Sequence, residues 1–312
     1  MKVLGIGEAV IDNVFTVSDL DHVDIFSSKT IPQKHVGGPV PAALILLSRL
    51  GVSCTMLTSV GRDEDAAIIK HILKHEKITV VPKLQRKTKV NTVMVDTITG
   101  QRKKIRGNVI HPPIKDIDRK FLRDFDMIII DRHERPAFYE IIKKKRTSTR
   151  ILIDPSTEVS PFTLDMIRYA DYPIIPIEAL TQIGGEKNFH SCLSALFAIS
   201  KKPLTITAGE FGSILYDGNS ATLLPSLQIK PIDVTGAGDI YRGGFAYGIL
   251  QGWDMAECAQ FANLVAGIQC ARMGNVAAIP TKEEISLFNN VLVQKKEVSE
   301  TIITRYFAQL YN

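Results

Sequence analysis

Short apolar runs alternate along this chain with longer stretches whose apolar positions recur every three to four residues. The strand-like runs are Lys2–Gly7, Ser53–Ser59, Met127–Asp131, Ile151–Asp154, Tyr172–Pro176, Leu204–Thr207 and Ser213–Tyr216. Helical patterns lie between them at Val40–Leu50, Glu64–His75, Pro136–Lys145, Phe162–Tyr169 and Phe189–Ser200. This βα alternation predicts an α/β fold, a Rossmann-like, mostly parallel sheet flanked by helices on both faces. The last third reads as helix: Gly238–Gln251, Met255–Arg272, Lys282–Lys296 and Ser299–Leu310. In the final one Ile302, Ile303, Tyr306, Phe307 and Leu310 share a face, which suits a helix docked on its own body or an oligomer contact.

Two regions interrupt the alternation. Val10–Val17 is strand-like and runs into a polar stretch up to Val36. Val90–Asp96 and Arg102–Arg106 flank Thr97-Ile98-Thr99-Gly100, a hairpin signal, with Val93 and Val95 alternating against Thr92, Met94 and Asp96. Neither region has a helix of its own. Together they predict a small β-lid made of residues 10–36 and 89–111, over a body made of residues 1–9, 37–88 and 112–312. Such ribbons are marginal alone, so the lid must pack on the body, a ligand or a second subunit.

Composition narrows the function classes. The 312 residues are 45% hydrophobic and 23% charged, which fits a soluble globular enzyme with a large core. No apolar run reaches membrane-spanning length, and Met1–Gly7 turns polar too soon for a signal peptide. Cys54, Cys192, Cys258 and Cys270 lack metal or redox spacing and read as buried thiols of a cytoplasmic protein. The net charge of +5 is local, in Lys83–Arg106 and Lys143–Arg150, with little aromatic interleaving, so no nucleic-acid partner is expected. His71 and His75 are four apart on a helix, but Ile72 stands where a zinc-protease motif needs Glu.

The chemistry concentrates in Asp233-Val234-Thr235-Gly236-Ala237-Gly238-Asp239, just before the helix Ile240–Ala246. Small residues at a helix start leave backbone N–H groups pointing outward, and with the positive helix end they make an anion site. A carboxylate in that first turn repels a phosphate that is merely bound. It suits a base that takes a proton from an attacking hydroxyl while the N–H groups hold the transferring phosphoryl. Val36-Gly37-Gly38-Pro39 also opens a helix and permits close backbone approach, as an ordinary tight turn does too. Asp12 follows the first strand and is either a turn former or a partner for sugar hydroxyls. Thr207-Ala208-Gly209-Glu210-Phe211-Gly212 ends a strand with glycines spaced for a nucleotide, or for a simple turn. Asp131, Arg132, His133, Asp154 and Glu178 close neighbouring strands and so surround one crevice.

At Asp233–Ala246 the sequence resembles the PfkB, or ribokinase-like, family of carbohydrate and nucleoside kinases. Asp12, Gly37-Gly38, the lid hairpin, Gly61-Arg62-Asp63, the Thr207 run, Asn263 and Pro280-Thr281 fall in family order, over about residues 2–290. The resemblance implies a ribokinase-like body with a β-lid and an ATP-dependent kinase acting on a primary hydroxyl of a small sugar. Asp239 then is the catalytic base and Gly236, Ala237 and Gly238 the anion hole. Asp12, Gly37, Gly38, Asp131 and Arg132 hold the acceptor; Thr207, Gly209, Gly212 and Asn263 line the nucleotide. Glu178 matches the family's Asn-x-x-Glu glutamate, which acts on Mg²⁺ through water. Asp233 and Thr235 match positions that bind a monovalent cation, K⁺, in several members. Lid-to-lid homodimers occur in the family.

Three positions depart from its pattern: Ile175 in place of the Asn of Asn-x-x-Glu, Ala42 in place of a sugar-contacting Asn, and Val234 in place of a frequent Thr. Asp131-Arg132-His133 is similar to a feature of ketohexose-kinase-like members, which points to a ketose or an anionic sugar derivative. A nucleoside kinase of the same family and a sugar- or nucleotide-sensing protein are the competing readings. Few aromatics near the lid, Phe15 and Phe26, speak against the first, and an intact Asp239 against the second.

Overall fold

A computed structural model describes residues 1–20, 32–96, 102–183, 188–274, 276–289 and 300–309. The chain opens with β1 (Lys2–Ile6), β2 (Val10–Val17), β3 (Gln33–Gly37), α1 (Pro39–Arg49), β4 (Ser53–Val60), α2 (Glu64–His75) and β5 (Thr79–Leu84). It continues through β6 (Val90–Asp96), β7 (Arg102–Ile105), α3 (Arg119–Leu122), β8 (Met127–Asp131), α4 (Arg135–Lys144), β9 (Arg150–Asp154), α5 (Pro161–Tyr169), β10 (Tyr172–Pro176) and α6 (Ile177–Leu180). The remainder is α7 (Phe189–Ser200), β11 (Leu204–Thr207), β12 (Ser213–Tyr216), β13 (Ala221–Leu224), α8 (Ala237–Gln251), α9 (Met255–Cys270), α10 (Lys282–Asn289) and α11 (Glu300–Gln309).

Nine strands form one sheet in the order β13-β12-β11-β10-β9-β8-β1-β4-β5, parallel from β11 to β5 and antiparallel at β11–β12 and β12–β13. Successive side chains of a strand face opposite ways, and here both faces are buried. Val3, Met127 and Ile129 join a core with α1, α2, α8 and α9, while Leu4, Ile128 and Ile130 join another with α4, α5 and α7. The strand order reverses between β1 and β8, which is where ligands of open α/β sheets bind, beyond the strand C-termini.

A second sheet runs β3-β2-β6-β7, antiparallel at its two flanks and parallel between β2 and β6. Val93 and Val95 are buried in it, as their alternation predicts. The turn at 97–100 lies outside the described residues, as do Phe26, Leu310 and the ends of the last two predicted helices. Gly61-Arg62-Asp63 anchors the approach to β6: Asp63 accepts the Thr88 N–H (2.7 Å) and hydroxyl (2.6 Å) as well as capping α2 through the Ala66 N–H (2.9 Å).

Three strands escaped the sequence pattern, and each lies at a sheet edge or among polar residues. β5 carries Pro82 and is largely exposed, as edge strands tolerate; β13 is a four-residue edge; β3 reads Gln33-Lys34-His35 before its buried end. The terminal helix docks on its own body. Phe307 is fully buried against Phe189 at 5.3 Å, and the Tyr306 ring lies 4.9 Å from Phe211.

Helix α8 is clamped between α1 and α9, and small residues make that possible. A Cβ on Gly244 would meet Val265 Cγ2 at 2.6 Å and the Ala262 Cα at 3.0 Å, so only glycine lets α9 come this close. Alanine at position 244 gains about 1 kcal/mol of helix propensity but suffers about 1–3 kcal/mol of overpacking against backbone. Gly244→Ala is therefore expected to lower the melting temperature by roughly 2–4 °C, measured by thermal denaturation, and an unchanged or raised value would refute tight packing here.

Candidate active site

The N-terminus of α8 stands between two cavities. Gly236, the N-cap, takes a left-handed conformation (φ 79°) and turns the chain sharply into the helix. The Ala237 N–H reaches back to the Val234 carbonyl at 3.2 Å, whereas the N–H groups of Gly236, Gly238 and Asp239 have no protein acceptor among the described residues. Ala237 and Gly238 line a cavity of about 610 Å³; Asp239 lines another of about 240 Å³. One helix turn thus presents anion-binding donors to one space and a carboxylate to the next.

The larger cavity is walled by the ends of β10 and β11, the following turns and α9. Thr207, Gly209 and Gly212 line it, with Asn263 from α9 and Glu178 from the first turn of α6. Asn263 also braces the β12–β13 edge. Its Nδ2 donates to Ser213 Oγ (3.1 Å) and to the Leu224 (2.9 Å) and Pro225 (3.3 Å) carbonyls. Asp233 and Thr235 sit behind the loop, away from the smaller cavity's lining. Asp233 Oδ1 accepts the Thr235 N–H at 2.9 Å. Ile175 is fully buried in β10 and Ala42 is buried in α1, so neither offers a polar group where the family pattern has Asn.

The smaller cavity opens at the β1–β8 reversal. Asp131 lies beneath Glu8, and its two oxygens accept the backbone N–H groups of Glu8 (3.0 Å) and His133 (2.9 Å). Burial pushes its pKa well above the usual range, so it braces the strand ends rather than offering a free carboxylate. Arg132 lines the cavity and pairs with Glu158. Gly38 lines it too, at the start of α1. Asp12, from β2, is 7% exposed and accepts from Asn91 Nδ2 at 2.7 Å, with Lys104 Nζ at 3.2 Å. Gly37 is needed beside it, because any Cβ there would strike the Asp12 carboxylate.

The pattern reading missed several groups at this cavity. Lys89 pairs with Glu8 (2.8 Å) beside His133, while Arg106 has no ion-pair partner among the described residues. Burial works against the Glu8 charge, but His133, Lys89 and His111 outweigh it and hold its pKa below the usual value. Burial lowers the His133 pKa, and nearby Arg132, Lys89 and Arg106 lower it further despite Glu8. Lys89, Arg106 and Arg132 come from the ends of β6, β7 and β8, so only the tertiary structure assembles them.

Arg242, one turn after Asp239, is the other missed residue, and its i,i+3 spacing on a helix was the available signal. Its guanidinium bridges Asp154 Oδ1 (2.8 Å) and Asp239 Oδ1 (3.2 Å). The Asp239 side chain is 24% exposed, yet it sits in a recess deep in the protein. Burial, reinforced by Asp154, lifts its pKa to about 7, against the pull of Arg242 and Lys104. A carboxyl near 7 is matched to accepting a proton from an alcohol at neutral pH.

Comparison with known proteins agrees with this architecture. Residues 1–282 match the pfkB family of carbohydrate kinases. The 5-dehydro-2-deoxygluconokinase of Clostridium tetani is 23% identical over 335 aligned positions, covering 98% of this chain and 96% of that protein. The crystal structure of ribokinase from Thermotoga maritima superposes with a TM-score of 0.80 at 22% identity, covering 92% of this chain and 98% of its own. An uncharacterized sugar kinase of Pyrococcus horikoshii, solved in complex with ATP, gives a TM-score of 0.73 at 22% identity, covering 90% of this chain and 96% of that one. The fold is ribokinase-like, and with the match running over nearly its whole length the chain belongs to the pfkB family of carbohydrate kinases.

Proposed function

We propose that this kinase transfers the γ-phosphoryl group of ATP to a primary hydroxyl of a small sugar derivative that carries a carboxylate or phosphate. The observation that carries this is the placement of one helix turn between two cavities, with Ala237 and Gly238 on one and Asp239 on the other. ATP, with which the Pyrococcus horikoshii relative was solved, is assigned here to the larger space, against Thr207, Gly209, Gly212 and the Asn263 face of α9. The acceptor occupies the smaller one, against the Gly37-Gly38 backbone and Arg132, with Asp12 beside it and Asp131 bracing the strand ends beneath. Asp239 takes the hydroxyl proton as the new O–P bond forms, and the bond from the γ-phosphorus to the β–γ bridging oxygen breaks to release ADP. The N–H groups of the Gly236–Gly238 turn hold the charge carried on the transferring group, so positioning and electrostatics supply most of the catalysis.

Glu178, which lines the nucleotide cavity together with Glu210, is the carboxylate that would hold Mg²⁺ there; so few carboxylates suit an ion that keeps several waters and takes phosphate oxygens. That ion, when bound, screens the phosphate charge. Residues 10–36 and 89–111 act as a lid over the body, excluding water from the acceptor.

Two observations support a charged sugar as acceptor. Arg106 lines the cavity that holds Asp239 with no ion-pair partner among the described residues, beside the paired Lys89 and Arg132, and a neutral polyol needs no such group. Among the described residues lining it there is no Phe, Tyr or Trp to sandwich a nucleobase. The Clostridium tetani relative is, by its name, a kinase of a gluconate derivative, a sugar acid.

The test is ADP release from Mg-ATP across sugar acids, sugar phosphates, ketoses, aldoses, polyols and nucleosides. An anionic sugar should be the preferred acceptor; a nucleoside or a neutral sugar used equally well would overturn that choice. Arg106→Ala should raise the KM for the anionic acceptor about tenfold or more and leave that for a neutral analogue unchanged. Asp239→Asn should lower kcat at least about a hundredfold with ATP affinity unchanged, and near-normal turnover would remove Asp239 as the base.

The pH profile follows from the same geometry. A base must be deprotonated, so kcat/KM should fall as pH drops below about 7. Arg242 favours the ionised form, so Arg242→Met should move this acid limb to higher pH and Arg242→Lys should move it less. A limb that stays put in Arg242→Met would show that the guanidinium does not act on the base.

A further inference from the structure

The loop that aims N–H groups at a phosphate turns carbonyl oxygens the other way, and something positive has to cover them. The resemblance assigns that role to a monovalent cation at Asp233 and Thr235. In this chain protein donors already perform it. Asp233 Oδ1 accepts from the Thr235 N–H (2.9 Å) and Oδ2 from the Gly274 N–H (3.1 Å). The Val234 carbonyl takes the Ala237 N–H at 3.2 Å, and the Cys270 carbonyl takes those of Ile232 (2.8 Å) and Asp233 (3.1 Å). The Thr235 carbonyl, closest to the anion hole in sequence, takes a side chain: Gln269 Nε2 at 2.6 Å.

Gln269 sits at the end of α9 and is 1% exposed. Its amide can face only one way. With its ends exchanged, two oxygens would be held 2.6 Å apart out of water. The chosen orientation leaves Gln269 Oε1 buried with no partner among the described residues, an unfavourable arrangement that the bond to Thr235 has to offset. These residues therefore do not fit a resident cation, because the amide donor holds the carbonyl that such an ion would take.

We infer that the side-chain amide of Gln269 is a built-in replacement for the monovalent cation behind the anion hole, so that this kinase binds nucleotide and turns over without K⁺. The tethered donor supplies partial positive charge to the back of the Thr235–Gly238 turn and holds its N–H groups aimed at the phosphate. The inference rests on the reading of that turn as the phosphoryl site, so its test does not depend on finding the acceptor.

The experiment measures ATP affinity by titration calorimetry, and melting temperature with ATP present, in potassium, sodium and choline chloride at equal ionic strength. The wild type should give the same values in all three salts within about twofold in affinity. Gln269→Ala should lose about three- to tenfold in ATP affinity in choline, the worth of one hydrogen bond, and regain most of it in potassium. Gln269→Met, which keeps the bulk and removes the donor, should lose affinity and regain none. Potassium-dependent affinity in the wild type would overturn the inference, and that arm stands even if a variant fails to fold. So would a Gln269→Ala protein that matches the wild type in every salt, or whose lost affinity potassium does not restore. Absence of ADP release with every acceptor would instead count against the kinase assignment and leave these binding values to be judged on their own.

Discussion

Two carboxylates, Asp154 at the end of β9 and Asp239 at the start of α8, are held side by side only because Arg242 lies between them. Without the guanidinium their repulsion in a buried setting would push the strand end and the helix start apart. Stripping one partner from such a buried cluster typically costs about 3–5 kcal/mol. The same contact ties the helix start to the sheet and restrains the proton affinity of Asp239. It also couples positions far apart in sequence to a single geometry.

The rest of the body serves to hold that contact still. Close packing of α8 on α9 through Gly244, and the bracing of the β12–β13 edge by Asn263, leave the turn before α8 little freedom. Behind it, Asp233 and Gln269 occupy the carbonyl side of the loop. A preorganised set of N–H dipoles needs no rearrangement when charge develops beside it, which is how a few backbone donors can be effective in the proposed mechanism. The small sheet contributes differently. It carries Asn91, Lys104 and, just past β7, Arg106 to the lining of the smaller cavity, with Asp12 bonded to the first two.

The motif residues divide by how local their roles are. The placement of Asp239 and the Gly236–Gly238 turn at the start of a helix was legible because strand, small-residue turn and helix start are consecutive. Thr207, Gly209 and Gly212 line the larger cavity, at the end of β11 and in the turn that follows it. Asp131 was read as an acceptor ligand, yet its oxygens are both taken by backbone N–H groups, a consequence of β1 lying next to β8. Asn263 lines the expected cavity but spends its amide on a neighbouring edge. Lys89, Arg106 and Gln269 gave no local signal, because a surface-like lysine or glutamine looks the same in sequence whether or not it faces a site.

The order of residues was enough for the alternation of strands and helices, the parallel sheet covered on both faces, the second small sheet as a break in that pattern, and the small-residue turn that puts Asp239 at a helix start. Each of these follows from periodicity or from a few adjacent residues. Folding in three dimensions was needed to settle which charges share the smaller cavity, where the β3, β5 and β13 edges lie, how Arg242 restrains the proton affinity of Asp239, and what covers the Thr235 carbonyl. Those depend on strand order and on burial. Burial is what turns an ordinary carboxylate into one that titrates near neutrality, and an ordinary glutamine into a fixed donor.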